Sequence, residues 1–142
     1  MPIRTEIVSQ DRIVFQGEAD LVMLPGIEGM MGILPNHAPL LTALQFGVIT
    51  VRSKTDEYYF TVAGGIVEVQ PDQVTILADA AENVAEIDIS RAEAAKQRAE
   101  EMLKEGIPGD QDRYLKIQAA LRRSSLRIDA ARRYKQGRRS HE

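Results

Sequence analysis

The chain has 142 residues and a net charge of −3, and its hydrophobic (44%) and charged (27%) fractions are close to those of globular proteins. It has no cysteine, which excludes disulfides and thiolate chemistry, and its two histidines leave little for a metal site or a catalytic triad. No apolar stretch approaches the roughly 20 residues that span a bilayer, and the N-terminus has no signal-peptide pattern. We therefore expect a soluble protein, without a metal or catalytic site, that is not an enzyme.

The two parts of the chain differ in charge. Residues 1–84 carry 4 basic and 11 acidic side chains, whereas residues 85–142 carry 14 basic and 10 acidic ones. From Arg113 onward there are 10 basic side chains and 2 acidic ones. This asymmetry predicts two structural units, 1–84 and 85–142, and an anionic partner for the second.

The first unit has the pattern of an antiparallel β-sandwich or barrel. Short runs rich in Val, Ile, Tyr and Thr alternate with turn residues, and no helical pattern lies between them. The predicted strands are 3–9, 12–16, 19–24, 48–52, 57–62, 66–69 and 74–78. The predicted turns are 9–11, 53–56, 64–65 and 70–72, of which Pro71-Asp72 suits the tip of a hairpin.

Between two of these strands lies a glycine-spaced segment, Pro25-Gly26-Ile27-Glu28-Gly29-Met30-Met31-Gly32. It lacks the Gly-Lys-Ser/Thr of a phosphate-binding loop, so we expect a tight turn in which glycine supplies positive φ. Two methionines in such a loop favour a half-exposed, adaptable contact surface. His37, which lies just beyond it with no second ligand candidate, is expected to be a hydrogen-bonded structural or interface residue.

The second unit changes to helical spacing. Apolar residues recur at three and four in 88–105 and 110–135, with Asp88 and Asp110 placed as N-caps and Gly106-Ile107-Pro108-Gly109 between the helices. This predicts an antiparallel two-helix hairpin with a narrow, alanine-rich apolar face. The positions of that face are Ile89, Ala92, Ala95, Ala99, Met102, Tyr114, Ile117, Leu121, Ser124, Ile128 and Ala131. Two such thin helices need another surface for stability.

Arginines recur on single faces of both helices. Arg98 lies seven residues after Arg91, and Arg123 and Arg127 are four apart, a spacing at which like charges repel. An external phosphate or acidic segment would relieve that repulsion, because arginine binds such oxygens in bidentate fashion. On these residues alone, an anion site and an ordinary basic face remain equal alternatives.

Two longer stretches carry motifs that are not generic. The first, 19–44, includes Leu24-Pro25-Gly26-Ile27-Glu28-Gly29 and Gly32-Ile33-Leu34-Pro35-Asn36-His37-Ala38-Pro39, and the second is 63–79. Through these motifs the chain, from about residue 3 to residue 133, resembles the ε subunit family of bacterial F-type ATP synthases. It departs from the commoner pattern in its connector, 107–109, and in the basic end of helix two, Arg132-Arg133-Tyr134-Lys135.

The resemblance implies a regulatory ATP site. Ile87-Asp88-x-x-Arg91-Ala92 is similar to the ATP-binding signature of some bacterial members. In the family the site is completed by a glutamate before the signature, an arginine later in helix one and two arginines on helix two. Those positions correspond to Glu82, Arg98, Arg123 and Arg127. No other cofactor is implied.

The resemblance also implies a non-catalytic rotor subunit, peripheral at the cytoplasmic side of the cell membrane. Its sandwich would bind γ and the c-ring, with Glu28, Gly29, Met30, Met31 and His37 expected at that interface. Its helices would reach the α and β subunits and inhibit ATP hydrolysis. The alternative function is a free-standing β domain whose basic tail binds nucleic acid, although no aromatic platform accompanies the arginines.

Overall fold

A computed structural model of the chain describes residues 2–10, 12–106 and 111–135. The chain divides into two compact units, residues 1–84 and 85–142. The strands of the first unit are β1 (Ile3–Ser9), β2 (Arg12–Ala19), β3 (Leu21–Gly26), β4 (Gly29–Ile33), β5 (Leu40–Arg52), β6 (Glu57–Val69), β7 (Gln73–Ala78) and β8 (Ala81–Asn83). A 3-10 turn (Val84–Glu86), α1 (Ile89–Glu105), α2 (Gln111–Ala130) and a π-helical turn (Ala131–Lys135) follow.

The strands form one continuous, folded-over sheet in the order β2-β1-β7-β6-β5-β3-β4, with β8 also paired to β6. All these pairs are antiparallel except β1 with β7, which is parallel. The predicted fold class, a β-sandwich followed by a two-helix hairpin, is confirmed, but its sheet is mixed. β1 lies between β2, which follows it directly and is antiparallel, and β7, the returning arm of the β6–β7 hairpin, with which it forms the parallel pair.

The two layers of the sandwich share β5 and β6. Each of these strands has 13 residues, and they pair with each other along their length. The end of β6 pairs with β7, and the sheet continues from there to β1 and β2. The beginning of β6 pairs with β8, and β5 pairs with β3. Both layers contribute to a single apolar core with Ile3, Ile7, Phe60 and Ile76 among its fully buried side chains.

The predicted turn at Gly64-Gly65 is wrong, because β6 continues through it. Both glycines have positive φ, 105° and 142°, and an added Cβ at Gly65 would lie 2.4 Å from the carbonyl oxygen of Leu77. The strand bends here so that its two halves can join different layers. A glycine pair within a strand and one within a turn serve the same backbone requirement, and the sequence alone does not distinguish them.

The segment around Met30 is also more regular than predicted. The turn is limited to Ile27-Glu28, and β3 and β4 pair directly from Gly26 opposite Gly29 to Val22 opposite Ile33. β5 likewise begins at Leu40 instead of residue 48. Glycine lowers the local strand propensity of both segments, but pairing with neighbouring strands stabilises the extended conformation more than glycine disfavours it. The hairpin around Pro71-Asp72 is confirmed, with Gln70 and Gln73 exchanging backbone hydrogen bonds at its base.

The second unit is an antiparallel helical hairpin. The carboxylate of Asp88 accepts a hydrogen bond from the backbone N–H of Arg91 at 3.1 Å, which confirms the predicted N-cap of α1. The buried positions are Ala92 and Ala99 on α1, Ile117, Ser124, Ile128 and Ala130 on α2, and Ala131. Met102 and Tyr114, predicted to be in the apolar face, are exposed because they lie near the connector, where less surface covers them. Asp11, the predicted cap Asp110 and residues 107–109 lie outside the described residues.

Candidate functional site

The β3–β4 turn presents apolar side chains at one end of the sandwich. Glu28, Gly29 and Met30 are exposed, and Met30 retains 60% of its accessible surface, whereas Met31 is half-buried. Gly29 has φ 133°, a conformation that side chains rarely adopt, so the turn depends on glycine there. The side-chain amide of Gln45 donates to the carbonyl of Gly26 at 2.9 Å and holds the strand that precedes the turn.

A shallow cavity of about 200 Å³ lies beside this turn. Its apolar lining comes from Ile27, Met30, Met31 and Leu40. Pockets that enclose small-molecule ligands are typically larger, about 300–1,000 Å³. The dimensions fit the insertion of a partner's side chain better than the enclosure of a cofactor.

His37 lies on the segment that leads from β4 to β5. It is half-buried, its backbone N–H donates to Leu34 at 3.2 Å, and its ring Nδ1 lies 2.7 Å from the carbonyl oxygen of Ala38. A protonated Nδ1 donates that hydrogen bond. The geometry fits the hydrogen-bonded histidine expected from the sequence, and its place in an interface stays a prediction.

A row of apolar side chains that was not predicted from the sequence crosses the outer surface of one sandwich layer. Its members lie opposite one another in the strand register, from Ile13 through Val8, Leu77 and Ile66 to Ala43. Ile13, Leu77 and Ile66 are 55%, 54% and 50% exposed. The signal was present, because Ile66 and Leu77 alternate with the buried Val67 and Ile76 and must face outward. Val8 and Ala43 are half-buried, so the row exposes three large apolar side chains, and clusters of exposed apolar side chains are characteristic of contact surfaces.

The predicted nucleotide signature lies at the start of α1. Ile87 is buried, and its carbonyl oxygen accepts a hydrogen bond from the ammonium of Lys135. Asp88 is exposed but its carboxylate already caps the helix. Ala92 is fully buried and packs between the helices, and its place in a nucleotide site stays a prediction. Arg91 is exposed next to it.

The four predicted arginines lie on the same flank of the hairpin. Each directly precedes a buried position, namely Ala92, Ala99, Ser124 or Ile128. Successive residues of an α-helix are rotated by about 100° about its axis, so a residue that directly precedes a packed position lies to one side of the packed face. Because the two helices run in opposite directions, that side is the same for both of them. Glu93 and Arg132, which directly follow buried positions, pair at 2.7 Å on the opposite flank. We call the first surface, formed by Arg91, Arg98, Arg123 and Arg127, the arginine flank.

The ion pair also fixes which arginines lie side by side. Arg98 is five residues after Glu93, and Arg127 is five residues before Arg132, so antiparallel packing brings them to the same level. Arg123 lies about one turn nearer the connector, and Arg91 lies about two turns nearer the opposite end of the hairpin. Arg127 is half-buried and the other three are exposed. The guanidinium groups of Arg91, Arg98 and Arg123 make no hydrogen bond or ion pair among the described residues.

Glu82, the remaining predicted nucleotide residue, lies in β8 opposite Thr61 and is half-buried. It belongs to the first unit, whereas the arginine flank belongs to the second. Within residues 2–10, 12–106 and 111–135, no group of three or more metal-binding side chains comes together. In the same ranges, no helix is both long enough and apolar enough to cross a bilayer.

Family models match both units. The β-sandwich domain of the ATP synthase delta/epsilon chain matches residues 2–84, and the long α-helix domain of the same chain matches residues 85–132. Curated relatives extend the match over most of the chain. An ATP synthase epsilon chain of Dehalococcoides mccartyi is 48% identical over 91% of this chain and 91% of its own length. The epsilon chain of Moorella thermoacetica is 47% identical and covers 91% and 96%.

Solved structures share the fold. A chain in the mitochondrial ATP synthase of Euglena gracilis, from a structure of its OSCP/F1/c-ring part, aligns with a TM-score of 0.64 at 20% identity. The alignment covers 89% of this chain and 75% of that one. A chain of the Tetrahymena thermophila mitochondrial ATP synthase, from a structure of its central stalk and c-ring, aligns with a TM-score of 0.55 at 14% identity and covers 91% and 96%.

Proposed function

This chain belongs to the family of ATP synthase epsilon chains, and we propose that it serves as a non-catalytic rotor subunit that transmits rotation between the c-ring and the catalytic head. The observation that carries the rotor role is the exposed apolar row on an otherwise well-packed sandwich. A row that crosses five strands gives a partner a rigid, continuous contact surface. Family membership favours this role over the nucleic-acid alternative.

We assign the apolar row to the γ subunit. Leu77 and Ile66 lie at its centre, and replacing them with charged residues would place charges against a partner's apolar surface without disturbing the core. We expect Ile66→Glu/Leu77→Glu to abolish co-purification with γ. Ile66→Ala/Leu77→Ala should only weaken it, and Lys54→Glu, on the exposed β5–β6 loop, is the matched surface control. Unchanged γ binding by the glutamate variant would rule out this assignment.

We assign the β3–β4 turn to the c-ring, which would place the chain peripherally at the membrane. Glu28 lies in the turn, Gly29, Met30 and Met31 follow it at the start of β4, and the cavity beside them can accept a side chain. Because the chain has no cysteine, Met30→Cys introduces a single thiol. We expect it to cross-link to subunit c in the assembled complex, whereas Thr55→Cys on another exposed loop does not. Cross-links from Met30→Cys only to γ would contradict the assignment.

The hairpin is the regulatory part of this proposal. Its extended form would contact the α and β subunits and inhibit ATP hydrolysis, and ATP bound to the closed form would oppose that inhibition. Support comes from the arginine flank, on which both helices place guanidinium groups side by side only when the hairpin is closed. A ligand shifts such an equilibrium by its differential affinity for the two forms. At about 100 times its dissociation constant, ATP would stabilise the closed form by about 2.7 kcal/mol.

Thermal unfolding of the isolated chain in the presence of ATP tests the regulatory site. We expect ATP to raise the melting temperature of the hairpin transition and to do so much less in Arg98→Ala and Arg123→Ala, because their charge-assisted hydrogen bonds to phosphate are lost. Lys104→Ala removes the same charge from α1 away from the arginine flank and should respond like the unaltered chain. If millimolar ATP does not change the melting temperature, or changes it equally in all variants, the arginines do not bind ATP and we would assign them to a contact with the β subunit.

A further inference from the structure

The π-helical turn that follows α2 contacts the segment just before α1. Lys135 lies 48 residues after Ile87, and its ammonium donates to the carbonyl oxygen of Ile87 at 2.5 Å. Ile87 is 1% exposed and immediately precedes the N-cap Asp88, whereas Lys135 is half-buried. A charged donor on a partly shielded carbonyl makes a stronger hydrogen bond than two neutral groups do.

A second contact lies one turn away. Arg132 and Glu93 form an ion pair at 2.7 Å, and their side chains are 60% and 50% exposed. Such an exposed pair adds little stability alone. It reinforces the first contact because Arg132 and Lys135 belong to one π-helical turn, so both side chains reach α1 from the same short segment.

Both contacts close the hairpin at its open end. The connector joins the helices at the other end, and the packed positions between them are largely small, with Ala92, Ala99 and Ala131 fully or nearly fully buried. Alanine contacts remove little apolar surface from water, so polar contacts at the end opposite the connector weigh more in the balance between closed and open forms.

We propose that Arg132 and Lys135 form a clasp on Glu93 and Ile87 that sets how often the helical hairpin opens. Opening requires both contacts to break, which frees the N-terminal turn of α1 from the end of α2. The clasp also positions the arginine flank, because Arg91 and Arg127 stay on one side only while the two helices remain in register. Its consequence for ATP hydrolysis rests on the proposed function, whereas the clasp itself is a property of the isolated chain.

Amide hydrogen exchange of the full-length chain without nucleotide tests the clasp. In Lys135→Met, which keeps the apolar stem and removes the donor, we expect protection of the α1 amides from Ala92 to Ala99 to fall about tenfold. Isolated helices of this length are marginal, so α1 protection reports on hairpin closure. Amides of β6 should not change, and Lys104→Met is the control for loss of a lysine on an exposed helix surface. Equal α1 protection in the two lysine variants would overturn the proposal.

Charge reversal tests the second contact without loss of charged residues. Glu93→Arg and Arg132→Glu should each lower α1 protection severalfold, and the double variant should recover most of it, because the pair is restored with opposite polarity. A double variant as weak as the sum of the two single changes would overturn the role of this pair. These outcomes are independent of nucleotide, so a failed ATP titration together with a confirmed clasp would count against the regulatory site alone.

Discussion

The two units of this chain bury different kinds of side chain. The sandwich fills its core with large residues such as Phe60, Ile3 and Ile76, all fully buried, from strands of both layers. Among the described residues of α1, α2 and the π-helical turn, the hairpin buries mainly alanines, with Ile117 and Ile128 as its large buried side chains. Burial of large side chains stabilises a unit on its own, whereas a two-helix unit with small contacts is marginal. The comparison indicates a fixed scaffold joined to a part whose closure depends on additional contacts.

The largest effect that we predict is on the stability of the sandwich, from a substitution at the bend of β6. Gly65→Ala would place a Cβ against the carbonyl of Leu77 at a residue with φ 142°. Strain and steric overlap together should lower the free energy of unfolding of the sandwich by about 3 kcal/mol, measured by urea denaturation. Gly32→Ala, where the nearest atom is 3.8 Å away and φ is not positive, is the matched control and should change it far less. Equal stability of both variants would contradict the close packing at this bend.

A change in the hairpin should leave the scaffold intact. Ala92→Leu adds a large side chain at a fully buried position between the helices and should destabilise the closed hairpin by about 1–3 kcal/mol. Ala94→Leu, exposed on the same helix, is the control. The two variants should differ in the amide protection of α1 and α2 and agree in that of β5 and β6. Loss of sandwich protection in Ala92→Leu would show that the two units do not unfold separately.

The smallest effect concerns the start of α1. Asp88→Ala removes the carboxylate that caps the N–H of Arg91 and should weaken the helix by about 1 kcal/mol. Asp88→Asn keeps a capping oxygen and should retain most of the stability. If both variants lower the helical circular dichroism on heating to the same extent, the carboxylate contributes through its charge and not through the cap.

The sequence predicted correctly those elements whose local residue preferences match the structure that they adopt in the fold. The hairpin around Pro71-Asp72 and the cap at Asp88 follow from local chemistry and are confirmed. The bend at Gly64-Gly65 and the strand containing Met30 depend on which distant strands pair with them, and local propensity gave no indication of that pairing. The prediction of two helices was correct, but their relative register became visible only through the contact of Arg132 with Glu93.

The candidate sites also differ in how far the sequence could predict them. The resemblance pointed to four arginines, and the antiparallel packing of the helices puts them on one flank. The apolar row was recoverable from strand alternation at Ile66 and Leu77 once the register was known. Lys135 could not be predicted as a partner of Ile87, because a basic helix end is usually solvated and nothing local distinguishes one lysine from its neighbours.

The division between scaffold and conditional hairpin is tested most directly by a chain that ends at Val84. All residues of the sandwich core lie before that point, so this chain retains a complete core and the apolar row. We expect it to assemble into the ATP synthase with γ and the c-ring, and the purified complex to hydrolyse ATP faster than one with the full chain. Failure of the shortened chain to co-purify with γ, or a complex with an unchanged hydrolysis rate, would contradict the account.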